Sequence, residues 1–363
     1  MQIEKERDFM PVNKEENGTW TSRFYVTDYK GERKQKKRRG FATKREAQEF
    51  EREFLAKSNL NLDMSFQSLY DLYMEDMKHR LKQHTFISKE YIINLKILPF
   101  FKKLSIDKIS PVVIRKWQNE LINSKNPKTN KKYAPTYIKT INNQLSAMMN
   151  YAVKFYGLKE NPCHKAGSIG KKNADEMKIW EPPEFERFIN LLVHKPISYT
   201  GFQILFNCGL RIGELLALTV KDINLKNKTL KIDKSYQRLR KKDVVTDPKT
   251  PRANRVIDMS DKLVSIVEEY IQRLYCPTDD TRLFPTTKST FEHDIKTYSA
   301  KAGLEKIRLQ DLRHSHASFL INNNVNILAV SKRLGHEKVE TTLNIYAHLF
   351  RESHDFMISV LNK

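Results

Sequence analysis

Residues 308–320 read RLQDLRHSHASFL. Leu309, Leu312, Phe319 and Leu320 recur at helical spacing, which predicts a helix with one apolar face. Beside that face stand Gln310, Arg313, His314 and His316, more charge and proton handlers than packing alone requires. His314 and His316 lie two residues apart and diverge around a helix, so they make a poor metal pair. His316 falls on the Leu312, Phe319 and Leu320 side and reads as a satisfied core histidine.

The chain around this stretch has 363 residues, 39% of them hydrophobic, which is enough for two or three domains. Lys and Arg number 65 against 43 Asp and Glu, a net charge of +22 that points to a polyanionic partner, nucleic acid first. Three widely spaced cysteines, Cys163, Cys208 and Cys276, suggest neither a disulfide framework nor a thiol zinc site. No apolar run is long enough to span a bilayer, and MQIEKERDF lacks the apolar centre of a signal peptide. An intracellular protein is expected.

At the N-terminal end, Trp20, Phe24 and Val26 alternate with polar residues between Asn17-Gly18 and Lys30-Gly31, which predicts a small twisted sheet. Ala47, Phe50, Phe54 and Leu55 then follow helical spacing, giving one covering helix. The run RKQKKRR places Arg33, Lys34, Lys36, Lys37, Arg38 and Arg39 in this sheet, six basic residues in seven. Such a strand can track phosphates, although a solvated hairpin is the blander reading.

Residues 65–155 are helical throughout. Phe66, Leu69, Tyr73, Met77 and Leu81 mark one helix. Val113, Trp117 and Leu121 mark another, started by Ser110-Pro111, and Ile138, Ile141, Leu145, Met148, Ala152 and Phe155 mark a third, ended by Gly157. Arg115, Lys116 and Lys139, with Lys89 and Lys96, lie off these stripes and can contact a nucleic-acid backbone. NPCHKAGSIGKKNADE, residues 161–176, reads as an interdomain linker. Beyond it Pro182-Pro183 opens a helix, residues 229–257 read as short strands with basic turns, and helices return from Asp261.

In this second half Arg211 in NCGLRIGELLAL, Lys249 in DPKTPRANRVI, Arg313 in the opening stretch, His336 in KRLGHEKVETT and Tyr346 in NIYAHL occur in order. Together they resemble the tyrosine recombinase family, the phage and transposon integrases. The resemblance covers most of the chain, because residues 1–60 look like an arm-site DNA-binding domain and 64–160 like a helical core-site binding domain. It implies a multidomain protein: a three-stranded sheet plus helix, an all-α core-binding domain, and a mixed, mainly α, catalytic domain over 177–363 ending in an exchange tail.

The resemblance also implies roles. Arg211 and Arg313 fit a clamp on the non-bridging phosphate oxygens, since a guanidinium is a planar, always charged fork. Glu214, one turn after Arg211, fits a support that holds it. Tyr346 would be the nucleophile that gives a 3′-phosphotyrosyl link, and Lys249 the general acid for the leaving 5′-oxygen. His336 would bond the attacked phosphate or orient Tyr346. Arg252 joins the basic residues expected on the DNA backbone, as do Lys241, Lys242 and Arg255.

At position 310 the family usually carries histidine. Gln310 shares the Arg313 face and can hold a phosphate oxygen or the tyrosine, but it cannot take up a proton at neutral pH. The implied partners are double-stranded attachment-site DNA and sister protomers in a homotetramer on two duplexes, with a host DNA-bending protein and a directionality factor as further candidates. No metal, cofactor or membrane is implied, and the location would be the bacterial cytoplasm with the nucleoid. A chromosome-dimer resolvase and a catalytically inactive DNA-binding regulator are the alternatives.

Overall fold

The computed structural model describes residues 12–27, 33–58, 64–172, 178–247, 253–346 and 361–362. Lys249 and Arg252 lie outside these residues, as do Phe350, Phe356, Met357 and Val360 of the expected tail. The chain divides into two compact units, Met1–Ala174 and Asp175–Lys363.

The first unit begins with strands β1 (Asn13–Lys14), β2 (Trp20–Thr27) and β3 (Arg33–Phe41), antiparallel in that order. Opposite Thr21 the third strand carries two residues, and Gly40 takes φ of 92°, so a bulge there tightens the twist. Helix α1 (Lys44–Ser58) starts at Thr43, whose Oγ1 accepts from the Glu46 amide at 3.2 Å, while Glu46 Oε2 accepts from the Ala42 amide at 3.0 Å. Phe50 on this helix meets Phe24 and Phe41 of the sheet.

The helical part of the unit holds α2 (Phe66–Arg80), α3 (Gln83–Lys96), α4 (Leu98–Phe101), α5 (Pro111–Asn123), α6 (Pro135–Phe155) and α7 (Pro162–Ala166). Ser110 caps α5 ahead of Pro111, the Pro-after-cap order that favours a helix start. Phe66, Ile93, Phe101, Trp117, Ile141, Leu145 and Met148 form the core, whereas Phe155, at the end of the α6 stripe, is exposed.

The expected linker differs from what the structure contains. Residues 161–170 pack onto this unit. Asn161 caps α7, accepting from the Cys163 amide at 2.8 Å, and Cys163 and Ala166 are buried. Gly170 sits so close to α6 that a Cβ there would lie 2.2 Å from the Pro135 carbonyl oxygen. The Pro and Gly content that suggests a linker thus reflects a cap and a close backbone approach.

The second unit runs α8 (Pro182–Asn190), α9 (Pro196–Cys208), α10 (Ile212–Ala217), then β4 (Ile223–Asn224), β5 (Thr229–Ile232), β6 (Ser235–Leu239), β7 (Lys242–Thr246) and β8 (Arg255–Asp258). It closes with α11 (Asp261–Gln272), α12 (Lys288–Lys301), α13 (Leu309–Asn322), α14 (Ile327–Leu334) and α15 (Val339–Tyr346). The β4-β5-β8 sheet and the β6-β7 hairpin are separate, and Arg240 and Lys241 turn the hairpin with φ of 47° and 66°. Helix α9 is buried almost all round and packs against α13 and α11. All three cysteines are free. Among the described residues no helix is long and apolar enough to cross a membrane.

Gly201, inside α9, tests how tightly this core is packed. An added Cβ would meet Phe291 ring carbons at 2.5 Å. Helix propensity favours alanine over glycine by about 1 kcal/mol, but overpacking costs about 1–3 kcal/mol, so strain should win. Gly201→Ala is expected to lower the thermal unfolding midpoint, and Phe291→Leu in the same chain to restore part of it. A stabilised single variant would show that the core yields.

Candidate active site

Arg313 lies deep in the second unit, 1% exposed. Its Nη1 donates to the Gly209 carbonyl at 2.8 Å and its Nη2 to the Leu334 carbonyl at 2.5 Å. Both acceptors end helices. Gly209 caps α9 with φ of 65°, and Leu334 closes α14 before Gly335, which has φ of 68°. Burial first, then the neighbouring Arg211, lowers the Arg313 pKa to about 9, which leaves the guanidinium charged at neutral pH.

Arg211 stands at the start of α10, two residues after Gly209. Glu214 accepts from its backbone amide at 3.0 Å and from its Nη1 at 2.8 Å. The same carboxylate accepts from Arg255 Nη2 at 2.8 Å. Burial pushes the Glu214 pKa up, but hydrogen bonds and charge from Arg255, with Arg211, outweigh it and hold the group at about 2.

Arg255 is a correction to the sequence reading, which left it among residues touching DNA backbone. Its side chain is 6% exposed and also donates to the Arg333 carbonyl at 2.9 Å. Arg333 in turn donates from Nε to His316 Nε2 at 3.1 Å, and from Nη2 to the Asn207 carbonyl at 3.1 Å. His316 is therefore a satisfied buried histidine, and burial lowers its pKa to about 3.

His336 follows Gly335 directly and is half-buried. Its Nδ1 lies 2.7 Å from Thr342 Oγ1 on α15. Burial, then the charges of Arg313 and Arg211, lowers its pKa to about 4, so the ring is neutral at pH 7. Tyr346 ends the described part of α15 and is 1% exposed. Its hydroxyl lies 2.7 Å from His314 Nδ1. Burial raises the Tyr346 pKa, and the Arg313 charge opposes that rise.

The structure thus brings Arg211, Glu214, Arg313, His336 and Tyr346 into one cluster. Gln310 is exposed on the first turn of α13, and Lys249 lies outside the described residues. His314 belongs to the cluster, and sequence reasoning missed it by asking only whether it paired with His316. Among the described residues no three His, Cys, Asp or Glu side chains converge as a metal-binding group would.

In the first unit, Lys36, Lys37, Arg38 and Arg39 are exposed on β3. The Arg38 guanidinium lies 4.7 Å from the Phe50 ring centroid, on the side covered by α1. Arg39 lies 3.9 Å from Glu15, which accepts from Thr21 Oγ1. Lys116 is exposed, whereas Arg115 donates to the Ala166 carbonyl at 3.2 Å and Lys139 to Ser168 Oγ. Lys89 donates to Tyr73 Oη and Gln144, and Lys96 to Tyr133 Oη.

Residues 184–353 match the phage integrase family, 65–122 the phage integrase N-terminal SAM-like domain, and 11–58 an arm DNA-binding domain. The chain is 31% identical over 328 residues to the ICEBs1 integrase of Bacillus subtilis (strain 168), covering 85% of this chain and 87% of the relative. It shares its fold with the Tn1549 transposon integrase in complex with transposon right end DNA, at a TM-score of 0.68 and 22% identity over 83% of this chain and all of that one. A lambda integrase tetramer bound to a Holliday junction aligns with a TM-score of 0.59 and 16% identity, over 92% of this chain and 97% of that one. The chain belongs to the phage integrase family of tyrosine recombinases, which are site-specific recombinases.

The Glu214 carboxylate predicts an acid-dependent stability. Its folded pKa lies below the unfolded value, so its contribution is present above about pH 4.5 and is lost as pH falls toward 2. The shift corresponds to a contribution on the order of 3 kcal/mol for this buried group. Glu214→Gln should lower the unfolding midpoint at pH 7 and flatten its fall between pH 4.5 and 2. An unchanged acid profile would assign that dependence to other groups.

Proposed function

We propose that the chain cuts and rejoins double-stranded DNA at attachment sites to integrate or excise a mobile element, through a 3′-phosphotyrosyl link on Tyr346. The observation that carries this reading is a buried tyrosine hydroxyl within reach of the Arg313 charge, with Arg211 next to Arg313. Attack on a phosphodiester builds charge on its non-bridging oxygens. Two always charged forks, one fixed by helix C-termini and one by Glu214, are preorganised to receive it.

With Nδ1 on Thr342, His336 would offer Nε2 to the same phosphate. Lys249 would protonate the leaving 5′-oxygen, a role argued from its place in DPKTPRANRVI alone. The covalent link conserves the phosphodiester bond energy, so rejoining needs neither ATP nor a metal. Gln310, exposed beside Arg313, would bond a phosphate oxygen.

The arm-type module supports integrase action over chromosome-dimer resolution, because it offers a second DNA contact separate from the core site. On its open sheet face Lys37 and Arg39 would meet phosphates, with Arg33, Lys34 and Lys36 nearby in sequence. Lys116 and Arg252 would add contacts, and Arg115 and Lys139 would contribute while bracing residues 166–168. Four protomers on two duplexes, inside the cytoplasm, complete the reading. A host bending protein and a directionality factor remain optional partners in it.

Tyr346→Phe should keep DNA binding and form no covalent adduct with a nicked duplex carrying the element's junction sequence, run on a denaturing gel. A surviving adduct would remove Tyr346 from the role. Gln310→Ala should slow single-turnover cleavage by roughly a hundredfold, the loss of one donor to a charged transition state, while Gln310→His should stay active. An alanine variant as fast as the parent would show that Gln310 faces away from the phosphate.

A further inference from the structure

The hydroxyl of Tyr346 meets a side chain that the functional reading leaves without a task. His314 Nδ1 lies 2.7 Å from Oη, within proton-transfer reach. The two rings are tilted by 53°, with centroids 5.9 Å apart, so the contact is made through the heteroatoms rather than by stacking. At position 310, the other α13 position on the Arg313 face, stands a glutamine, which has no proton affinity near neutral pH.

Resting on the recombinase reading, we infer that His314 is the general base for Tyr346, taking the proton from Oη as the oxygen attacks phosphorus. The step balances. The Oη–H proton passes to Nδ1 of neutral His314, the Oη–P bond forms, and the P–O5′ bond breaks with its oxygen protonated by Lys249. Rejoining runs the reverse course: an incoming 5′-hydroxyl attacks the phosphotyrosine, its proton goes to the lysine amine, and Oη takes back the proton from Nδ1.

The environment suits that task. Burial first, then Arg313 and Arg308, lower the His314 pKa against the opposing pull of Asp311. His336 faces it from beyond α14 and Tyr346 from α15. The ring is thus neutral and able to accept at pH 7. His314 is only half-buried, so a small molecule from solvent can reach the space it fills.

The experiment is single-turnover cleavage of a nicked junction duplex across pH by the full-length protein and its His314→Asn variant. Asparagine accepts a hydrogen bond but cannot take the proton. The variant is expected to bind the duplex as the parent does, to cleave at least about a hundredfold more slowly, and to lose the rise of rate with pH that marks a base. A variant with the parent's rate, or one that keeps that rise, overturns the inference.

If the asparagine variant fails to fold, His314→Ala with added imidazole decides. Restored cleavage supports the base, and none overturns it. Failure of the underlying reading looks different: an adduct that persists in Tyr346→Phe, or none in the parent, sinks both. A normal Tyr346 adduct with an indifferent His314 variant sinks only this inference.

Discussion

A guanidinium that is 1% exposed must be solvated by something other than water, and in this protein two helix ends do it. Arg313 takes the carbonyls of Gly209 and Leu334, groups that a helix C-terminus leaves without intrahelical partners and that lie at the negative end of its dipole. Closing α9 and α14 on one side chain fixes where the chain leaves each helix. The left-handed glycines Gly209 and Gly335 make those exits possible. Arg211 follows the first glycine by two residues and His336 follows the second at once. The places of Arg211 and His336 therefore depend on a single buried cation.

Around that cation, charge is sorted by type. Arg211 and Arg255 converge on one buried carboxylate, Glu214, which their charge keeps ionised far below neutral pH. The histidines take the opposite course, because burial and the arginines strip their protons. At neutral pH the site holds fixed cations and neutral imidazoles. Positive charge left uncompensated in a partly buried site is costly unless an anion arrives to offset it.

Much of this arrangement was legible in the sequence. Arg211, Arg313, His336 and Tyr346 are polar residues placed unusually for a core, and their order along the chain resembles that of the tyrosine recombinases. Arg255 and Arg333 did not stand out, since a basic residue near a turn looks the same whether it faces water or a buried carboxylate. His314 was hidden for another reason: helical spacing ranks neighbours on one helix, while its partner Tyr346 comes from another, 32 residues on. The basic run of β3 reads as one block, yet the alternation of a strand divides it. Arg38 covers Phe50 on the helix side, and Arg39 reaches Glu15 and the Thr21 side.

Helix α15 places one further constraint on how the site can work. It carries Tyr346, and it also carries Thr342, fully buried, whose hydroxyl meets His336 Nδ1. A buried phenol cannot meet a phosphate without some opening around it, and the described part of α15 is eight residues long. Any displacement of this helix that uncovers Tyr346 also loosens the partner that orients His336. Tyr346 and His336 are thus mechanically joined: a tyrosine drawn out of its pocket with α15 leaves the His314 imidazole behind and carries the anchor of His336 away with it.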